Sequence, residues 1–342
     1  MKSIYQSTLL TLLMVASSVL AELPPAPPST FSIAVIPDTQ HYRGKGTKAQ
    51  PNSNDPVTNT VFDAYTTWIA ANLEAQRIVF VSHVGDIVDK NVPKQWIVAQ
   101  RAMDRLHGRI PYGISVGNHD MTREGDSSLF QSYFPESRFD GLSWYGGTYP
   151  ASAPQISGNN ANSYQLFSSA GIDFVFLHLE CNAPDGVLSW VSDILDRYSD
   201  RAAFITTHMG LGPLNKPKES AGYYEDPKGL MQWTKRHEER GNSPQRMWDE
   251  CFRKQSNLVA VFCGDQSRTQ SMYVAKQADD GHPVHYFLSD YGSNGLRVYR
   301  FTSSENRVDV ITYNPIKGAL CDSTRIVPDA GRHQFSVHLE LP

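Results

Sequence analysis

The apolar residues of this chain come in short runs: FSIAVIP (31–37), IVFVSHV (78–84), YGISV (112–116), DFVFLHL (173–179), AAFITT (202–207), LVAVFC (258–263) and VHYFLS (284–289). They are rich in Val, Ile and Phe and show little polar alternation, as strands buried on both faces do. Helical spacing lies between many of them, at 57–75, 94–107, 186–197 and 243–255. The third helical stretch starts after Asp185 and lines up Leu188, Val191, Ile194 and Leu195 on one face. The fourth has Asn242 or Ser243 as its cap and Pro244 in its first turn, a favourable helix entry. Alternating strands and helices predict an α/β sandwich. Two polar, Gly-rich stretches break the rhythm, 41–56 and 140–163. Both read as long loops, either functional or tolerated surface insertions.

The ends of the apolar runs carry the chemistry. They read IPDTQ (Asp38, Gln40), VGDIVD (Asp86, Asp89), VGNHD (Asn118, His119, Asp120), TTHMG (His208), CGDQS (Asp265, Gln266) and LSDYG (Asp290). Gly-Asp after a strand is by itself an ordinary turn; here run after run stops on a carboxylate, an amide or an imidazole. In open α/β sheets ligands bind beyond the carboxyl ends of the strands, so parallel strands would gather these groups at one edge. Several carboxylates in a partly dry cleft repel each other and are costly to desolvate. The flanking stretches hold little Arg or Lys, so a divalent cation is the better neutraliser. Asp oxygens, an Asn carbonyl and imidazoles make a mixed O/N set suited to Mn, Fe, Zn or Ni. A carboxylate can bridge two ions ~3.5–4 Å apart, as in two-metal hydrolases.

Composition narrows the setting. The 342 residues, 40% hydrophobic and 19% charged, suit a globular chain with a sizeable core. A net charge of −4 shows no basic excess that would mark a nucleic-acid-binding patch. Residues 1–21 combine Lys2, an apolar stretch from Leu9 to Val15 and small residues up to Ala21. That is the layout of a secretory signal peptide, with a lipid-anchored or uncleaved helix as the alternative. No other stretch approaches the ~18 uninterrupted apolar residues of a span, so no membrane span is expected after cleavage. The expected location is exported, periplasmic or secreted. Residues 22–30, ELPPAPPST, read as a Pro-rich linker, with one domain over 31–342. Cys181, Cys251, Cys263 and Cys321 show no C-x-x-C spacing, and disulfides and buried thiols stay equally open.

The order Asp-x-Gln, Gly-Asp, Gly-Asn-His-Asp, His and Gly-Asp resembles the calcineurin-like metallophosphoesterase superfamily over about residues 31–300. PDTQ, HLECNAP and SDYGSNGLRVYRF look more narrowly like an exported bacterial subgroup. The resemblance implies a four-layer α/β/β/α sandwich of two mixed sheets, with the strands of 305–342 completing the second sheet. It implies two divalent metal ions, Asp86 as the bridging carboxylate and Asp38 as a ligand of the first ion. Asn118 and His208 would be ligands of the second. His119 would meet the phosphate and protonate the leaving oxygen, with Asp120 orienting its imidazole. The two ions would hold the phosphate oxygens and supply a hydroxide at neutral pH.

The pattern also departs from the family. Gln40 stands where a histidine is usual and could ligate only through a neutral carbonyl. Gly264-Asp265-x-Ser267 stands for the usual Gly-His-x-His, so Asp265 takes the place of an imidazole ligand. The first metal position is the poorer, with Asp89 or His41 as possible compensation, and the site favours Mn or Mg over Zn in one position. The implied activity is an exported metal-dependent phosphoester hydrolase, with a small-molecule or macromolecular phosphoester as substrate. The alternative is a catalytically weak or inactive binding protein with a degraded first metal site. His83 and His178 read as buried, hydrogen-bonded core residues and Cys181 as packing. Arg123 and Arg268 are the nearest candidates for phosphate contact. Trp144, Tyr145, Tyr149, Tyr223 and Tyr224 either wall a cleft or pack loops.

Overall fold

The computed structural model describes residues 23–293 and 295–341. The signal-peptide reading of 1–21 lies outside the described residues. The first sheet holds β1 (Phe31–Ile36), β2 (Ile78–His83), β3 (Tyr112–Ile114), β13 (Leu296–Thr302), β14 (Arg307–Asn314), β15 (Ala319–Leu320) and β16 (Gln334–His338). Its order is β15-β14-β13-β1-β2-β3, with β16 also on β14. The pairs β1–β2 and β2–β3 are parallel; β13 joins β1 antiparallel. The second sheet holds β4 (Tyr145–Thr148), β5 (Ser163–Ser169), β6 (Ile172–Leu179), β7 (Ala202–Thr207), β10 (Leu258–Cys263), β11 (Ser271–Gln277) and β12 (Pro283–Ser289). Its order is β11-β12-β10-β7-β6-β5-β4, parallel from β6 to β12 and antiparallel at both edges. A small ribbon pairs β8 (Leu211–Pro213) with β9 (Lys228–Leu230).

The side-chain period of two along a strand builds the layers. In β1, Phe31, Ile33 and Val35 face a core between the sheets, where they meet Phe80, Phe176, Phe204 and Phe262. Ala34 and Ile36 face the other way, into a core shared with α1 (Thr60–Ala71), α2 (Pro93–Met103) and α3 (Ser128–Tyr133). The second sheet turns Val175, Leu177 and Ile205 outward onto α4 (Asp185–Arg197) and α6 (Pro244–Glu250). One further turn, α5 (Gly222–Glu225), lies in the loop between β8 and β9. The result is the expected α/β/β/α sandwich of two mixed sheets.

Three details differ from expectation. The closing strands return to the sheet that β1 begins, because β13 covers the free edge of β1 and β14 and β16 build outward from it. The helix expected over 243–255 stops at Glu250, because Cys251 leaves the helical backbone and a 3-10 turn follows. The Pro-rich stretch is docked: Ala26 N–H donates to Ala75 O at 2.8 Å, and Gln76 Nε2 donates to Leu23 O at 3.0 Å. The four cysteines are free and buried.

His83 and His178 are core residues. His178 Nε2 meets Ser82 Oγ at 3.0 Å and Nδ1 meets Gln165 Oε1 at 2.7 Å. Burial pushes each imidazole down to about 3. The unfolded chain takes up these protons below the ordinary value of 6.5, so the stability they lend is present above 6.5 and lost as pH falls toward about 3. His178→Gln is therefore expected to flatten the fall of unfolding free energy between these two values, as read from denaturant melts across that range.

Candidate active site

Each candidate residue sits just past the carboxyl end of a strand: Asp38 after β1, Asp86 after β2, Asn118 after β3, His208 after β7, Asp265 after β10 and Asp290 after β12. The two sheets thus deliver their strand ends to one edge. Asp86 and Asp265 take positive φ, 51° and 70°, which costs energy outside glycine and marks residues whose conformation the surroundings dictate. Glycine makes the close approach possible. A Cβ on Gly117 would collide with Asp86 N and Oδ1, and one on Gly264 would collide with Asp38 Oδ1.

Asp38, Asp86 and His208 bring one ligand atom each within 4.8 Å of one another, all buried. His208 Nδ1 donates to Val84 O at 3.0 Å, which leaves Nε2 facing Asp86 Oδ1 at 3.1 Å and Asp265 Oδ1 at 3.3 Å. An imidazole whose far nitrogen is fixed by a carbonyl is oriented as metal-binding histidines are. Asn118 is 5% exposed, and its Oδ1 is buried without a hydrogen-bond partner. A buried orphan acceptor is costly, and on a loop whose next N–H bonds Asp86 Oδ1 a cation would satisfy it. On these grounds the residues fit a divalent cation.

The electrostatics agree. Burial, then Asp290, holds the Asp38 carboxyl well above its ordinary range. Burial, then Asp265, pushes Asp290 up to about 7, which joins Asp290 to the cluster. Burial is the largest influence on His208 and acts against its charge, yet Asp86, Asp265 and Asp38 together outweigh it and raise the imidazole well above 6.5. At Asp86 burial is again the largest influence, and His208 with His119 outweighs it and lowers that carboxyl. The field at this edge therefore favours positive charge.

Other placements amend the expectations. Gln40 turns its Nε2 toward Asp86 Oδ2 at 2.8 Å, so as placed it is a donor to the carboxylate and not a carbonyl ligand. His119 is half-buried; its N–H donates to Asp86 Oδ1 at 2.8 Å and its Nδ1 to Asp89 O at 2.8 Å. The expected Asp120–His119 contact is replaced by that carbonyl. Asp120 instead accepts from the N–H groups of Ile87, Val88 and Gly117, at 3.1, 3.0 and 2.8 Å, and so ties the Asp86 and Asn118 loops together. The Asp89 carboxylate pairs with Lys48 at 2.6 Å. His41 and Ser267 are exposed. Burial pushes the Cys181 thiol up to about 12, consistent with packing and not nucleophilic attack. Trp144 and Tyr145 pack against Phe139, and Tyr149 packs on Trp190.

Two basic residues absent from the sequence reading enter the site. Lys235 Nζ pairs with Asp265 Oδ1, and Arg236 donates Nε to Asn118 O at 2.7 Å. The HLECNAP motif holds them there. Asn182 Oδ1 accepts from Lys235 N at 2.8 Å and Arg236 N at 3.2 Å, and buried Glu180 meets His237 Nε2 at 3.2 Å. The available signal is a dense charged run, TKRHEER, in a segment with no periodicity.

The model of the calcineurin-like phosphoesterase family matches residues 31–266, which takes in every candidate ligand through Asp265. The chain belongs to that family, whose members are typically phosphoric ester hydrolases that bind divalent metals. It is 29% identical over 307 residues to the uncharacterized protein YvnB of Bacillus subtilis (strain 168), covering 86% of this chain and 20% of that protein. Among solved structures it is similar to the NAD nucleotidase NadN of Haemophilus influenzae, with TM-score 0.42 and 11% identity over 86% of this chain and 49% of that one. It is also similar to a 5'-nucleotidase precursor from Thermus thermophilus, with TM-score 0.41 and 12% identity over 85% of this chain and 52% of that one. The chain thus spans about half the length of these structures and a fifth of the Bacillus protein.

Proposed function

We propose that this chain is an exported, metal-dependent phosphoester hydrolase with a dinuclear centre. The carrying observation is the convergence of Asp38, Asp86 and His208 with the orphaned Asn118 Oδ1, at the edge where His119 stands half-exposed. Asp86, Asn118, His208 and Asp265 would hold one cation, and Asp38 with Asp86 the other. Divalent cations bound there supply Lewis acidity and acidify a water toward neutral pH. The oxygen-rich donor set favours Mn or Mg. His119, with Nδ1 committed to Asp89 O, offers Nε2 to the leaving oxygen and would deliver a proton from that atom. Asp120 acts through the loop backbone, by keeping Asn118 and Asp86 in register.

A second reading, a weakly active binding protein, has its own support: Gln40 donates to Asp86 from the side where a first-ion ligand would stand. Hydrolysis of 4-nitrophenyl phosphate and bis-4-nitrophenyl phosphate with Mn²⁺ separates the two. Turnover is expected, with a loss of at least ~10²-fold in Asn118→Ala. Equal rates in both proteins on both esters would leave the binding reading. Recovery of a culture's protein outside the cell, cleaved after Ala21, would test export.

A further inference from the structure

We propose that the cleft beside this centre binds a second anionic part of the substrate, so that the preferred ester carries at least one negative group besides the scissile phosphoryl. The inference rests on the hydrolase reading for the scissile end only. The cleft has a volume of about 940 Å³. Lys235 and Arg236 line it and also contact Asp265 and the Asn118 carbonyl, so the cleft lies one residue away from the candidate ligands. Arg123, Lys216 and Arg240 stand further out.

Charge separates this surface from the rest of the protein. Five cations against Glu238 and Glu239 line the cleft, whereas the whole chain carries −4. Lys235 and Arg236 are committed to the protein. Arg123 reaches Glu238 only at 3.9 Å with both side chains mostly exposed, a pair of little strength. A low-dielectric wall lined by one sign of charge concentrates ions of the other sign. Ring stacking is a poorer explanation of the cleft. Tyr223 has Arg268 over its face at 4.7 Å, and Trp233 is 9% exposed with Lys235 5.6 Å above its ring. Recognition here is therefore by charge.

The segment is also built to keep its shape. His237 has positive φ, its N–H donates to Arg123 O at 2.9 Å, and Arg240 Nη2 donates to Glu124 O at 2.9 Å. These bonds tie the Arg123 backbone and Arg240 to the same loop that Asn182 and Glu180 anchor. That part of the cleft is thus presented without the entropy loss of ordering a mobile loop on binding.

The test uses 8-hydroxypyrene-1,3,6-trisulfonate, a fluorescent polyanion without a phosphoester, titrated by anisotropy at near-physiological salt. The Arg123→Ser/Lys216→Ser double variant is expected to weaken binding about five-fold or more, in line with two partly screened ion contacts. Arg109→Ser/Lys317→Ser, with the same loss of charge elsewhere, is expected to leave it unchanged. The phosphate ester of the same dye should then show a lower KM than 4-methylumbelliferyl phosphate, and the cleft variant should erase that advantage. No binding, or equal weakening by both double variants, overturns the inference even where simple aryl phosphates are hydrolysed. Selective binding without any hydrolysis upholds the cleft and overturns the hydrolase reading.

Discussion

Asp86→Asn is expected to weaken Mn²⁺ binding by more than the roughly 10–100-fold that loss of an outer-shell partner costs, and to take turnover below detection. The carboxylate sits at the middle of the candidate site. It meets His208 Nε2 at 3.1 Å, Gln40 Nε2 at 2.8 Å and the His119 N–H at 2.8 Å. Asparagine keeps the shape and is among the few residues that tolerate the positive φ of 51° found here. The fold should therefore survive while one anionic ligand disappears. Isothermal titration with Mn²⁺, alongside far-UV circular dichroism, measures both. Unchanged affinity in a folded variant would remove Asp86 from the ligand set.

His119→Ala is expected to spare Mn²⁺ binding and to slow hydrolysis by ~10²–10⁴-fold for alkyl phosphates, whose leaving oxygen needs a proton. The loss should be much smaller for 4-nitrophenyl phosphate, whose leaving group departs as a stable anion. The imidazole has its Nδ1 on Asp89 O at 2.8 Å, so Nε2 is the atom that can reach a leaving group. A comparison of kcat for the two ester types is the measurement. An equal loss on both would assign His119 to binding or to positioning, through its Nδ1 bond to Asp89 O.

The legible parts of the sequence share a physical cause. Strands such as LVAVFC and AAFITT are buried on both faces, so burial writes an unbroken apolar run and the next polar residue marks the strand end. That is why Asp38, Asp86, Asn118, His208 and Asp265 could be read as one edge. The antiparallel strands β5, β11 and β13 lack that signature. SYQLFSS and SMYVAKQ carry partly exposed positions near sheet edges, and LRVYRFT hides Arg297 in the core among Tyr291, Ser271 and Thr312. The role of Asp120 is hidden because its partners are backbone N–H groups, two of them on another loop, which no side-chain spacing reveals. Lys235 and Arg236 arrive on a segment without regular structure, so periodicity says nothing of them.

The pairing of β1 with β13 sets a timetable for the newborn chain. Phe31 lies opposite Phe301, some 270 residues further on. At ~5–20 residues per second the ribosome delivers that partner only roughly 15–55 s later. Until then one edge of β1 has no neighbour, and such distant pairing is slow to form even when both strands are present. For the export proposed above, the delay is useful: a secretion channel admits unfolded polypeptide, and the first sheet stays incomplete until its closing strands exist.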